Sequence, residues 1–392
     1  MFILNIPTHV TFGAGCRHGI VETLAREGWR RVAIVVDHGL DDAPVALDLI
    51  AAIGSALGGL AGGGSTVIPC AISEPTYDSL DAARGALDDA APDAVIGIGG
   101  GSALDMAKAM AVLANNHEPA IHYRGFDQAT EPVLPIIAVP TTAGTGSEVT
   151  PNASFVDTAE KRKLGINGEA VRPRYAFLDA ELTVSCPRGP TVSAGVDSIV
   201  HASEAYVARK STRLARLFAT EGMARVVGAL ARAADAGDDL AAREEVMYGA
   251  FLAGVALMHS GTGPAAAMSY PLGVRHGVPH GIGGAIFLPH VIRHNAAAGC
   301  DAYAGLYDAV AGEDADPGLD DAAKGLALAD QLAELWERLD VPSDLAAMTG
   351  ADAVERFVSD TLDLGAALEQ NPVAFGESEI RSTLANLRFG GA

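Results

Sequence analysis

Apolar residues in the first half of the chain come in short runs, most of them closed by an acid, glycines or a proline. Val32-Ala33-Ile34-Val35-Val36 ends on Asp37, a second run lies at 67–70, Val95-Ile96-Gly97-Ile98 enters three glycines, and Leu134-Pro135-Ile136-Ile137-Ala138-Val139 opens into Pro140. Runs of this length without polar alternation predict strands covered on both faces. A short β segment at 9–12 precedes them, and 154–179 reads as extended. Between the runs the period becomes helical at 20–27, 44–53, from 77 to about 90, and from the glycines to about 114. The small-residue run 54–65 and the segment 73–76 read as loops. Alternating strands and helices predict a parallel sheet with helices on both faces. Beyond a segment at 183–190, where Pro187 and Pro190 bracket a glycine, the pattern is helical: 191–210, 213–235, 240–258, 283–298, 320–339 and 350–369. The expectation is an α/β domain over 1–185 followed by an all-α helical bundle over 186–392. The chain's 392 residues exceed the ~250–300 at which a single core stops growing.

Charge narrows the partners. With 27 basic against 49 acidic side chains, the net charge of −22 disfavours nucleic acid or an anionic membrane as partner. No apolar run reaches the ~18–20 residues of a membrane span, and the first residues lack a basic leader and a cleavage site, so a cytoplasmic location is expected. Cys16, Cys70, Cys186 and Cys300 lie far apart with no C-x-x-C pair, which points to reduced, mostly buried thiols.

Two stretches carry candidate chemistry. Gly99-Gly100-Gly101-Ser102 sits where a buried strand turns into a helix, an arrangement that can cradle a phosphate against free backbone N–H groups and a helix dipole. A tight turn without a ligand explains the same glycines, and Ser102 reads as the helix N-cap. The run from Pro140 to Thr150 holds five hydroxyls and two glycines, donors suited to a pyrophosphate or a nicotinamide; a polar turn capping a helix is the other reading. Asp37 at its strand end would accept from ribose hydroxyls and favour NAD over NADP; a turn-forming aspartate is the other reading. Further on, Asp197 and His201 are four apart on a predicted helix and project from one face; a plain surface i,i+4 pair is the other reading. His280, before Gly281, can complete a set of two imidazoles and one carboxylate for a divalent ion.

Together G-G-G-S-x-x-D-x-A-K at 99–108, P-T-T-A-G-T-G-S-E-V-T at 140–150, G-V-D-S-I-V-H-A-S-E-A-Y at 195–206, V-P-H-G at 278–281 and L-P-H at 288–290 resemble the iron-containing, or group III, alcohol dehydrogenases over nearly the whole chain. That resemblance implies a dehydroquinate synthase-like fold, an N-terminal dinucleotide-binding domain, a C-terminal helical domain and a metal in the cleft between them. It implies interconversion of alcohols and aldehydes with NAD, and self-association, with a dimer expected. It assigns Asp37, Gly99, Gly100, Gly101, Ser102, Asp105, Thr141, Thr142, Thr145 and Lys163 to the cofactor and Asp197, His201 and His280 to Fe(II) or Zn(II).

One position departs from that pattern. The family's usual fourth ligand, a histidine some fourteen residues before His280, falls on Ala266, and the position four later is Tyr270. The metal is then held by three protein ligands, or bound weakly with His259 or His276 recruited, or absent. Tyr270 and His276 are the candidate proton donors to the alkoxide; a Tyr270 that only shapes the pocket is the other reading. His259, His290 and His294 read as packing residues. The run around Tyr270 also resembles the phosphonoacetaldehyde reductase branch, which would make Arg275 a partner for a small anionic aldehyde. A dehydroquinate synthase-like lyase and a non-catalytic NAD-binding homologue are the alternatives of another class.

Overall fold

The computed structural model describes residues 4–71, 74–348 and 353–390. Residues 1–3 of the predicted start, 73 of the predicted loop and 350–352 of the last predicted helix lie outside these. The chain forms two compact units, Asn5–Cys186 with Gly237–Glu244, and Pro187–Ala236 with Glu245–Ala392.

In chain order the strands of the first unit are β1 (His9–Phe12), β2 (Arg31–Asp37), β3 (Gly64–Cys70), β4 (Ala94–Gly99), β5 (Gly125–Phe126), β6 (Ile136–Pro140), β7 (Asn152–Asp157), β8 (Arg162–Asn167) and β9 (Tyr175–Leu178). Six form an all-parallel sheet ordered β1-β9-β6-β4-β2-β3, and β5-β8-β7 form a small mixed sheet. The helices are α1 (Gly19–Glu27), α2 (Pro44–Gly58), α3 (Tyr77–Ala83), α4 (Gly85–Ala90) and α5 (Gly101–Leu113). Val32, Ile34, Val36, Ile96 and Ile98 pack with α1 and α2 on one face, while Ala33, Val35 and Val95 pack with α3, α4 and α5 on the other. This double covering is why β2 and β4 read as unbroken apolar runs.

Two boundaries differ from expectation. The predicted loop from 54 is helix as far as Gly58, because Ile53 and Leu57 are buried against the sheet and their packing outweighs the weak helix propensity of the glycines. Helix 77–90 is broken at Arg84 into α3 and α4.

In the second unit α6 (Arg188–Val207) and α7 (Arg213–Asp235) pack together; α8 (Leu240–Met258) has its first five residues in the first unit and the rest in the second, and α9 (Pro264–His276), α10 (His280–Ala297), α11 (Ala304–Ala311), α12 (Asp321–Arg338), α13 (Ala353–Leu362), α14 (Gly365–Leu368) and α15 (Glu377–Asn386) follow. Helix α10 is central, packing on α6, α9 and α12. Helices α9, α11 and α15 were not anticipated. Gly263 and Pro264 look like breakers, but Gly263 is the N-cap of α9 and Pro264 occupies its first turn, where a missing N–H costs nothing. No helix of the described residues is long and apolar enough to cross a membrane. All four cysteines are free thiols; Cys70 and Cys300 are buried, whereas Cys16 and Cys186 are half-buried.

Candidate cofactor crevice and metal centre

The order of the main sheet reverses direction between β2 and β4. From β2 the chain crosses to β3 on one side, and from β4 it crosses through α5 to β6 on the other. Ligands of open α/β sheets bind at such a switch point, beyond the carboxyl ends of the strands. Asp37 ends β2 and Gly99 ends β4, and both lie at this point. A Cβ on Gly99 would sit 2.6 Å from Ala103 Cβ and 2.7 Å from Asp37 Cβ, and its φ of +153° admits only glycine without strain. Gly100 is the N-cap of α5, and no side chain among the described residues caps that helix. Its first N–H groups have no carbonyl partner within the helix. Ser102 therefore lies inside the first turn rather than at the N-cap: Gly100 already has the extended backbone that the cap position requires.

The hydroxyl-rich loop is fastened beside this opening. Thr141 N–H donates to Gly99 O at 3.0 Å, and a Cβ on Gly101 would meet Thr145 Cγ2 at 2.7 Å. A Cβ on Gly100 would lie 3.3 Å from Thr142 Oγ1. The fully buried Lys108 donates from Nζ to Ser147 Oγ (2.7 Å), Thr150 O (3.1 Å) and Asn152 O (2.6 Å). Burial pulls its ammonium down to about 8, against the opposing pull of Asp105. The carboxylate of Asp105 accepts from Ser147 Oγ at 2.6 Å and from Ser154 N–H at 2.8 Å. In this arrangement Asp105 braces the loop rather than facing outward to a cofactor. Asp37 Oδ1 accepts from Gly39 N–H at 2.9 Å, so the aspartate caps a turn. Lys163, on β8, is ion-paired with Glu74 at 2.8 Å.

In the second unit Asp197 and His201 face one way from α6, with His201 Nε2 3.5 Å from Asp197 Oδ1. His280 is the first residue of α10, and its Nε2 lies 4.0 Å from the same oxygen. One ligand atom from each of the three lies within 4.8 Å of the others. Gly281 makes this approach possible, because a Cβ there would be 2.0 Å from Ser193 O and 2.8 Å from Asp197 Cβ. Asp197 and His201 are buried and His280 is partly open. Two imidazoles and a carboxylate converging in this way suit a divalent ion with a position left for substrate. His201 Nδ1 is buried with no hydrogen-bond partner among the described residues.

The Tyr270 ring lies edge-on to His280 with centroids 4.8 Å apart, whereas the His276 ring packs on Phe389 at 5.4 Å. His259 Nδ1 is 2.8 Å from Val255 O, a packing contact. His294 meets Ala374 O at 3.1 Å, and His290 is half-buried. Arg275 is ion-paired with Asp360, so an anionic substrate would have to compete for it.

Sequence reasoning missed Glu204, on α6 three residues after His201. Its buried carboxylate accepts from the N–H groups of Gly263 (2.7 Å), Ala265 (2.7 Å) and Ala266 (3.3 Å), holding the start of α9. Burial pushes it up to about 7 despite these donors, with Asp197 adding to the rise. Its carboxyl thus takes up a proton at higher pH folded than unfolded, so the stability it contributes is greatest below about 4.5 and is lost as pH climbs through about 7. Glu204→Gln removes this dependence. Urea unfolding of the metal-free protein should show the variant gaining roughly 2–3 kcal/mol on wild type between pH 5 and pH 8.

A switch-point crevice over a glycine-led helix and a cluster of one carboxylate and two imidazoles are each features that a metal-assisted, nicotinamide-linked oxidoreductase would require. The profile of the family described as "Iron-containing alcohol dehydrogenase" matches residues 7–180, and that of "Fe-containing alcohol dehydrogenase family, C-terminal" matches 191–387. An NAD-dependent methanol dehydrogenase of Bacillus methanolicus is 32% identical over 299 residues, 76% of this chain and 77% of that one. Lactaldehyde reductase of Escherichia coli K12 is 33% identical over 287 residues, 73% of each. The structure of sulfoacetaldehyde reductase from Bifidobacterium kashiwanohense in complex with NAD+ superposes with a TM-score of 0.86 at 25% identity, over 99% of this chain and 98% of that one. The chain belongs to the iron-containing alcohol dehydrogenase family and is an oxidoreductase acting on CH–OH groups.

Proposed function

We propose that the chain reduces a small aldehyde, and oxidises the matching alcohol, with NAD(H) as the hydride carrier and Fe(II) or Zn(II) held by Asp197, His201 and His280. The observation that carries this reading is the convergence of those three ligand atoms within 4.8 Å. Bound there, a divalent ion supplies a Lewis acid for the carbonyl oxygen, while a nicotinamide supplies or accepts hydride. The remaining work falls to side chains and backbone. The N–H groups that open α5 bind a diphosphate, and Asp37 Oδ2 accepts from ribose hydroxyls while Oδ1 keeps the turn. Thr141, Thr142 and Thr145 add donors at the same opening. Tyr270, the proton candidate in contact with His280, donates its phenolic proton to the alkoxide oxygen; His276 is turned to Phe389.

Three protein ligands suffice for a catalytic ion, so Ala266 in place of the family's histidine is compatible with activity. A second reading, a small anionic aldehyde, draws support from sulfoacetaldehyde reductase of Bilophila wadsworthia, 34% identical over 274 residues. The test is a panel of neutral and sulfonated or phosphonated short aldehydes, assayed by loss of NADH absorbance after chelation and after reconstitution with Fe(II) or Zn(II). Metal-dependent net oxidation of NADH is expected. Product formed with no net change in NADH would point to lyase chemistry, and turnover indifferent to chelation would overturn the metal assignment.

A further inference from the structure

Ser269 is buried on α9, one helical turn after Ala266 and beside the metal-ligand cluster. Its Oγ lies 2.6 Å from Ala266 O and 2.7 Å from His280 Nδ1. A hydroxyl has one proton to give, and a backbone carbonyl can only accept. Donation to Ala266 O leaves an Oγ lone pair facing His280, so the imidazole must carry its proton on Nδ1. The opposite arrangement would bring two acceptors, Ser269 Oγ and Ala266 O, face to face at 2.6 Å. With Nδ1 protonated, the lone pair of a neutral ring resides on Nε2, the atom aimed at Asp197 Oδ1.

We infer that Ser269 is a positioning residue that locks His280 into the tautomer able to ligate metal, and so raises the metal affinity of the Asp197, His201 and His280 site. The inference rests on the metal reading proposed above. Position 266 lacks an imidazole, yet its carbonyl completes the relay that prepares one on His280. The close approach of α10 keeps this geometry rigid: a Cβ on Gly283 would lie 3.0 Å from Ser269 Cβ. The two imidazoles are not equivalent. His201 Nδ1 has no partner among the described residues, so no described group fixes its tautomer, and the prepared ligand is His280. A serine bonded back to a carbonyl three residues earlier is also an ordinary feature of helix interiors. What sets Ser269 apart is the imidazole on its other side.

Two measurements on the metal-free protein decide the matter. In long-range proton–nitrogen spectra of histidine-labelled wild type, His280, assigned by its loss in His280→Ala, should show a protonated Nδ1 and a pyridine-like Nε2. A protonated Nε2 overturns the inference whatever any variant does. In competition with a chromophoric chelator, Zn(II) alone should bind Ser269→Ala about 10- to 100-fold more weakly than wild type, the range seen when groups that orient metal ligands are removed. A loss smaller than about tenfold overturns the inference. His280→Ala separates the two levels. If it leaves Zn(II) affinity unchanged, the metal reading itself fails; if it abolishes binding while Ser269→Ala does not weaken it, only the role of Ser269 falls.

Discussion

Gly99→Ala is expected to destabilise the first unit by about 3–5 kcal/mol and to abolish detectable NADH binding. Two independent penalties add at this residue. The backbone at φ +153° lies in a region essentially reserved for glycine, worth about 1–3 kcal/mol for any side chain. The new methyl would also sit 2.6 Å from Ala103 Cβ and 2.7 Å from Asp37 Cβ, overpacking that costs about 1–3 kcal/mol. Relief would have to come from moving the start of α5 away from the end of β2, which would separate the donors proposed for the diphosphate from the acceptor proposed for the ribose. Gly62→Ala is the control: its φ is +72° but no heavy atom approaches within 4 Å of the added Cβ, so only a conformational penalty of about 1 kcal/mol applies. Urea unfolding and NADH fluorescence titration of both variants check the argument. Should Gly99→Ala bind NADH like wild type, the crevice between Asp37 and Gly99 is not where the dinucleotide sits.

This contrast shows which features a single sequence reveals. Strands buried on both faces announce themselves through their apolar runs, so β2, β4 and β6 were legible with the residues that close them, and so was the helix-face pair Asp197 and His201. Helix α9 was not, because Gly263 and Pro264 carry opposite meanings at the start of a helix and in its middle, and only the three N–H groups collected by Glu204 reveal that a helix begins there. The continuation of α2 through Gly54 depended on burial of Leu57, a tertiary fact. Ser269 acts through a backbone carbonyl and a ring nitrogen, which leave no spacing signature of their own. A signal for Glu204 did exist: it falls seven residues after Asp197 and three after His201, on the same face of α6. Asp105 and Lys108 were visible as part of a motif. That both turn inward, to brace the loop between Ser147 and Ser154, follows only from their contacts.

His280→Ala should lower kcat/KM by about three orders of magnitude or more and leave the purified protein without stoichiometric metal, while NADH affinity stays unchanged. The size follows from the Lewis-acid contribution of several kcal/mol, each ~1.36 kcal/mol of barrier being a factor of ten. Loss of one imidazole from a set of three is not a one-third loss, because a carboxylate and a single imidazole no longer define a site that retains a divalent ion through purification. The sharper expectation is therefore non-additivity. His201→Ala should match His280→Ala, and the double variant should be no slower than either single one, since each alone already removes the ion on which both act. Elemental analysis together with steady-state kinetics on the three proteins checks this. A double variant slower by the product of the two single effects would mean that the imidazoles act separately, as hydrogen-bond donors to the carbonyl oxygen, and that Asp197, His201 and His280 do not form one metal centre.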